Sequence, residues 1–253
     1  MLCFLHDNSS NPTNTRKYTD HLNLVEDVQN AEVIMVVGGD GSMLQAISLY
    51  QHLNIPFMGI HAGTRGYLMN NFENAEQFKQ SLDKVTYEEL WILEAIAESA
   101  NRQTTIYGFN DIWISRSSGQ TLRLQVTIDD VLQPSMIIGD GILFCTPQGS
   151  TGYNLALRGK AISPGVPVLQ VTPISCMVNK APLGSVILSE TSIVSVSLGQ
   201  LEKRPAAVYH DGRLVEMGPV EKITVKKSDR TVKLGFIERY SFKNKVPSWQ
   251  FLT

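Results

Sequence analysis

Val33–Val37 (VIMVV), within the apolar stretch Ala31–Val37, runs without polar alternation into Gly38-Gly39-Asp40-Gly41 and then at once into a segment of helical spacing. A strand with no polar face must be covered on both sides, which is the habit of a parallel strand inside an α/β layer. Met43, Ala46, Ile47 and Tyr50 recur at helical spacing within Ser42–His52, with Ser42 as the N-cap. Leu2–His6 reads as a short strand closed by the polar cluster Asp7–Asn14, and Pro56–Ile60 as a second buried strand. Phe72–Leu82 places Phe72, Ala75, Phe78 and Leu82 on one helical face. Strand, helix, strand, helix predicts a parallel sheet.

From about Leu90 the period changes to two. Residues 91–99, 103–114, 121–128, 142–146, 185–188, 193–198, 206–210, 222–227 and 231–236 alternate or are rich in β-branched residues, so the second part is mainly β. One helix signal interrupts them, Gly152–Arg158. The expected organisation is an α/β nucleotide-binding domain over 1–95 and a mostly β domain over 96–237. The stretch 241–253 is polar with apolar anchors at Phe242, Trp249, Phe251 and Leu252.

Composition removes several function classes. The chain has 253 residues, 22 basic against 24 acidic, a net charge of -2. It offers no electrostatic footprint for nucleic acid or an anionic membrane. No stretch approaches the roughly 20 apolar residues of a membrane span, and the first residues do not read as a signal peptide, so a cytoplasmic enzyme is expected. Cys3, Cys145 and Cys176 are scattered in apolar surroundings, and the five histidines lack ligand spacing. Neither a disulfide framework nor a protein-built metal site is expected.

Two constellations carry chemistry. In Val37-Gly38-Gly39-Asp40-Gly41-Ser42 a buried strand enters glycines and a helix start. Backbone N–H groups there can approach a phosphate, and Asp40 can accept a proton from an attacking hydroxyl, orient it or touch a metal ion. The same letters also describe a tight turn with an Asx hydrogen bond. The second constellation is Gly139-Asp140-Gly141, the strand Ile142–Cys145, then Thr146-Pro147-Gln148-Gly149-Ser150-Thr151-Gly152-Tyr153-Asn154. Its hydroxyls and loop amides can donate to phosphate or ribose oxygens, and Tyr153 offers a flat face to a base. By itself it also reads as a well-capped helix start. No Walker-type loop and no esterase elbow occur.

GGDGS, FNDIWIS, GDGILFCTPQGSTGYNLALRG and HDGRL, in that order, resemble the successive motifs of the NAD kinase family over nearly the whole chain. The long central motif is specific; GGDG alone is shared with lipid kinases and phosphofructokinases. The resemblance implies a nucleotide-binding α/β domain, a mostly β domain, and a tail, 238–253, that packs back on the first. The implied reaction is phosphorylation of the 2'-hydroxyl of the adenosine ribose of NAD, using ATP or another donor with Mg²⁺ or another divalent cation. It implies Asp40 as catalytic residue with Gly41 against the nucleotide. Asn110 and Asp111 would contact the adenosine, and Asp140 the nicotinamide half. Gln148, Thr151, Gly152, Tyr153, Asn154 and Ala156 would form the NAD-binding segment, and Asp211 and Arg213 an element near the end of the site. Homodimers or homotetramers are expected.

The chain departs from the family pattern at several positions. Asp111 stands for a glutamate, Ser42 for a threonine, Arg65 for a leucine, Ile138 for an arginine, Gly152 for an alanine and Ala156 for a serine. Arg65 is a candidate contact to the donor phosphates. A lipid kinase sharing the GGDG loop and a nucleotide-binding regulator without turnover are the competing readings.

Overall fold

A computed structural model describes residues 1–7, 18–20, 22–61, 66–100, 102–178, 181–182 and 184–237. Arg65 and the tail 238–253, for which roles were expected, lie outside the described residues. The chain divides into two compact units, Met1–Leu90 with the return from Thr231, and Trp91–Arg230.

In the first unit, strands β1 (Leu2–Asp7), β2 (Asn23–Leu24), β3 (Val33–Gly38) and β4 (Phe57–His61) form a parallel sheet in the order β2-β1-β3-β4. Every residue of β3 is buried. Val33, Met35 and Val37 pack on one face with Cys3, Met58, Ile60 and Phe78. Ile34 and Val36 point to the other face by alternation. Helix α1 (Asp40–Tyr50) packs on β3 and buries Met43, Ala46 and Ile47. It begins at Asp40 rather than after Ser42, because Gly39 serves as N-cap and its carbonyl accepts from the N–H groups of Ser42 and Met43. Helix α2 is shorter than its apolar face, Ala75–Ser81, since the Asn74 side chain accepts from the Gln77 N–H and sets its start.

The return at 231–237 lies parallel to β4, with Leu234 opposite Phe57. Asn70, fully buried, locks it there. Its Nδ2 donates to the carbonyls of Gly59 and Gly235 at 3.0 and 2.9 Å, and its Oδ1 accepts from the Ile237 N–H at 3.2 Å. Asn70→Ala strips these buried backbone groups of their partner. We expect it to lower stability by about 3 kcal/mol, read as a drop in the urea midpoint without a change of slope.

In the second unit the strands are β5 (Val85–Ser99, begun in the first unit), β6 (Arg102–Gly108), β7 (Asp111–Arg116), β8 (Leu122–Ile128), β9 (Val131–Leu132) and β10 (Ile137–Gly139). They continue with β11 (Gly141–Cys145), β12 (Val168–Ile174), β13 (Met177–Val178), β14 (Ala181–Pro182), β15 (Val186–Ser189) and β16 (Val194–Leu198). Last come β17 (Ala206–His210), β18 (Arg213–Leu214) and β19 (Lys222–Ile237). An antiparallel sheet in the order β15-β12-β11-β7-β17-β18 faces a second antiparallel run, β14-β13-β10-β8-β16-β19. Between them lies one core containing Ile112, Ile114, Ile142, Phe144, Leu169, Val194, Val196, Val208, Ile223 and Val225.

Three expectations are corrected here. The single run expected over 103–114 is two strands, broken at Phe109-Asn110. The runs 222–227 and 231–236 are parts of one strand. The helix expected over Gly152–Arg158 is one turn, α3 (Tyr153–Ala156), closed by Arg158 in a left-handed conformation (φ 64°). Strand β12 carries no simple alternation, because Gln170, Thr172 and Pro173 interrupt its apolar residues.

Candidate active site

The first unit presents Asp40 at the C-terminal edge of its sheet, in the first turn of α1. Gly38 has φ 148°, and a Cβ there would meet Ser42 Oγ at 2.3 Å, so this position demands glycine. Gly39 and Gly41 differ: a Cβ at either meets no described atom within 4 Å. Their bareness leaves peptide groups open at a helix start, where an anion is favoured. The Asp40 carboxylate is held by two successive amides, Tyr67 N–H to Oδ2 and Leu68 N–H to Oδ1, each at 2.9 Å. Asp40 therefore does two things: it pins the turn at 67–68, and each oxygen keeps a lone pair for another donor.

The second unit gathers most of the other expected residues around the break between β6 and β7. Asp211 and Gly212 form the two-residue loop between β17 and β18, with φ 45° and 82°, as a hairpin Asp-Gly turn requires. The Asp211 carboxylate is turned inward. Oδ2 accepts from Phe109 N–H at 2.8 Å and Oδ1 from Asn110 N–H at 2.7 Å and Asp111 N–H at 3.3 Å. Burial lifts its pKa to about 6, against the three amides and Arg213, which pull it down. Asp211 thus shapes the turn that presents Asn110 and Asp111.

The glycine-rich loop is tied to the same turn. The Thr146 hydroxyl lies 2.8 and 3.0 Å from the carbonyl oxygens of Phe109 and Asn110. Gln148 Nε2 donates to the carbonyls of Trp91 and Phe109 at 2.8 and 3.0 Å. Ser150 and Asn154 are fully buried. Asn154 Nδ2 lies 3.0 Å from the Ser150 carbonyl, and its Oδ1 accepts from Thr172 Oγ1 at 2.6 Å. Gln148 and Asn154 therefore brace the loop from within, whereas Gly152, Tyr153 and Ala156 are exposed and Thr151 half-buried.

Two polar groups at this turn stand out. Asn110 Oδ1 is buried with no partner among the described residues. Asp111 is 4% exposed. Burial, and then the Asp211 charge, push its pKa up to about 8. A buried unsatisfied acceptor such as Asn110 Oδ1 is rare and asks for a donor. Asp140 lies apart: its carbonyl accepts from the Arg116 N–H at the far end of β7, and its carboxylate pairs with Arg116 Nε at 2.6 Å. Arg213, in β18, contributes through its charge on Asp211. The sequence reading assigned no part to Asn70, whose signal is a buried polar side chain in an apolar context. It took the Thr146 hydroxyl for a ligand donor, whereas that hydroxyl bonds the Phe109 and Asn110 carbonyls.

The raised value at Asp111 has a sign. The folded protein holds this proton up to about pH 8, while the unfolded chain releases it near pH 4. Its stability contribution is full below about pH 4 and is lost as the pH climbs to about 8. Asp111→Asn removes this dependence. The variant's thermal midpoint, relative to the parent, should rise progressively across this window, reaching about 2–4 °C for each kcal/mol recovered. An offset that stays constant with pH refutes the assignment.

Two family models match the chain: ATP-NAD kinase N-terminal domain over residues 4–90, and ATP-NAD kinase C-terminal domain over 109–236. The chain is 31% identical to an NAD kinase of Rickettsia typhi over 248 residues, covering 93% of this chain and 95% of the relative. It is 30% identical to an NAD kinase of Rickettsia bellii, covering 89% and 88%. Among solved structures, yeast NADH kinase complexed with NADH has a TM-score of 0.78 at 18% identity, covering 96% of this chain and 84% of that one. An NAD kinase from Archaeoglobus fulgidus in complex with ATP has a TM-score of 0.75 at 22% identity, covering 97% and 98%. At those identities the two structures speak for the fold.

Proposed function

Because the chain belongs to the NAD kinase family, we propose that Asp40 orients and deprotonates the acceptor hydroxyl in its reaction. That reaction is the family's: phosphoryl transfer to the 2'-hydroxyl of the adenosine ribose of NAD, giving NADP. The observation that carries the role of Asp40 is its double amide clamp beside open glycines at a helix start. A carboxylate fixed in direction, with a free lone pair, suits proton acceptance. Open amides at Gly39 and Gly41 suit the phosphates of the donor, for which we propose ATP. Phosphoryl transfer asks mainly for positioning and charge neutralisation, which such a loop supplies.

In the second unit, the unpaired Asn110 Oδ1 and the Asp111 carboxyl are placed to take the amino and hydroxyl donors of the adenosine. The exposed Thr151–Tyr153 stretch and Ala156 supply further NAD contacts. Asp211, Gln148 and Asn154 hold these groups in place. Asp140, steadied by Arg116, takes the nicotinamide half. Among the described residues no three His, Cys, Asp or Glu side chains gather to hold an ion. The divalent cation therefore belongs, in this proposal, to the donor and travels on its phosphates. A cytoplasmic homodimer or homotetramer completes the reading. Exposed apolar side chains at Met136, Ile138, Met177, Val186 and Ile187 support self-association.

A coupled assay for NADP formation, comparing ATP and polyphosphate with and without Mg²⁺, tests the function. NADP should appear with ATP and Mg²⁺ together. Phosphorylation of diacylglycerol without NADP formation would overturn it.

A further inference from the structure

Along β7, Ile112 and Ile114 point into the core, so Asp111, Trp113 and Ser115 stand on the outer face of the six-stranded sheet. An outer face open to water is ordinarily polar. This one instead carries an apolar patch built of Leu143, Cys145 and Ile174, against which Trp113 and Leu157 pack. Trp113, the fifth residue of FNDIWIS, is its largest member, and the family resemblance gave it no task.

Its contacts are specific. On one side Tyr209, opposite Trp113 in register, stacks parallel to it, centroids 5.0 Å apart and planes 7° apart. On the other, Tyr153 meets it edge to face, at 5.2 Å and 64°. These are the two favoured aromatic arrangements. Tyr153 directly follows Gly152 and opens α3, which spans only four residues. A helix that short cannot hold a side chain by itself. Tyr153 is nonetheless 39% exposed, so its ring is supported below and open above. Burial, and then the charges of Asp111 and Asp140, raise the pKa of its phenol.

We propose that Trp113, braced by Tyr209, is a positioning residue that holds the Tyr153 ring ready to stack on a flat ring of the dinucleotide, and so sets the affinity for NAD. The inference rests on the NAD kinase reading. Trp113 does not touch the reacting atoms, so its loss weakens NAD binding and leaves turnover of bound NAD unchanged.

The test is a double-mutant cycle on the full chain, Trp113→Leu and Tyr153→Ala singly and together, with Trp113→Phe as the conservative variant. The dissociation constant for NAD, by calorimetry, reads the role of Trp113, and NADP formation reads the function separately. Trp113→Leu should raise the dissociation constant about 3- to 10-fold, with kcat at saturating NAD and KM for ATP within about twofold. Trp113→Phe should restore most of the affinity. In the Tyr153→Ala background the effect of Trp113→Leu should vanish. An equal loss in both backgrounds would overturn the proposal, as would unchanged affinity in Trp113→Leu. Parallel losses in kcat, ATP affinity and thermal midpoint would mark a merely structural tryptophan and overturn it too.

Discussion

Asp40→Asn should lower kcat by about 10²- to 10⁴-fold, the usual worth of a positioned general base, while the dissociation constant for NAD stays within a few-fold of the parent. The structure makes the substitution less innocent than it looks. Tyr67 and Leu68 each donate an N–H to one of the two carboxylate oxygens. An asparagine offers one acceptor and one donor, so one amide must face an NH₂ group. We therefore expect a second, separable effect, a loss of about 1–3 kcal/mol in stability from the unsatisfied amide. The two effects part with pH. If the base is missing, residual kcat should climb as the pH is raised, because hydroxide replaces it; a loosened turn gives no such climb. Single-turnover rates with NAD saturating, measured from pH 6 to 9, read this directly. A kcat reduced less than about tenfold sinks the base role, however much the midpoint moves.

The double duty of Asp40 shows where sequence reasoning stops. GGDG after a buried strand was legible as a strand-to-helix turn, because glycine and apolar pattern are local signals. The clamp was not, since Tyr67 and Leu68 lie 27 and 28 residues away. The break at Phe109-Asn110 was invisible for the same reason: the carboxylate that makes it is Asp211, 100 to 102 residues on. The β-branched run over 103–114 reads as continuous until that turn is pinned. Strand β12 escaped because Gln170 and Thr172 break its apolar pattern. Both are buried and bonded to Asn154, so their polarity serves the loop above them. What the chain declares locally is strand, turn and helix; what it leaves unsaid is which buried polar group answers which backbone amide across the fold.

Gly149→Ala should be among the most damaging small changes in the second unit. A Cβ at this position would stand 2.1 Å from the carbonyl oxygen of Asn110, 2.5 Å from its carbon and 2.6 Å from its Cα. These are backbone atoms, so no side chain can swing aside. Neither partner is free to retreat. The Asn110 N–H is held by Asp211 Oδ1 at 2.7 Å, and the Asn110 carbonyl accepts from the Thr146 N–H at 3.0 Å. The Gly149 N–H in turn donates to Thr146 Oγ1 at 3.2 Å. Relief must therefore pull the loop off the turn and leave several buried groups unpaired. We expect a loss of roughly 3 kcal/mol or more, above the common range for overpacking, together with loss of NAD affinity in whatever folds. Gly152→Ala offers the contrast in the same loop. Its Cβ would come no nearer than 3.3 Å, to the Gly149 carbonyl, and its midpoint should stay within about 1 kcal/mol of the parent. Urea titrations of both variants decide the matter: equal midpoints would show that the loop and the turn move together, and that the Asn110–Asp111 acceptors are not held by the loop at all.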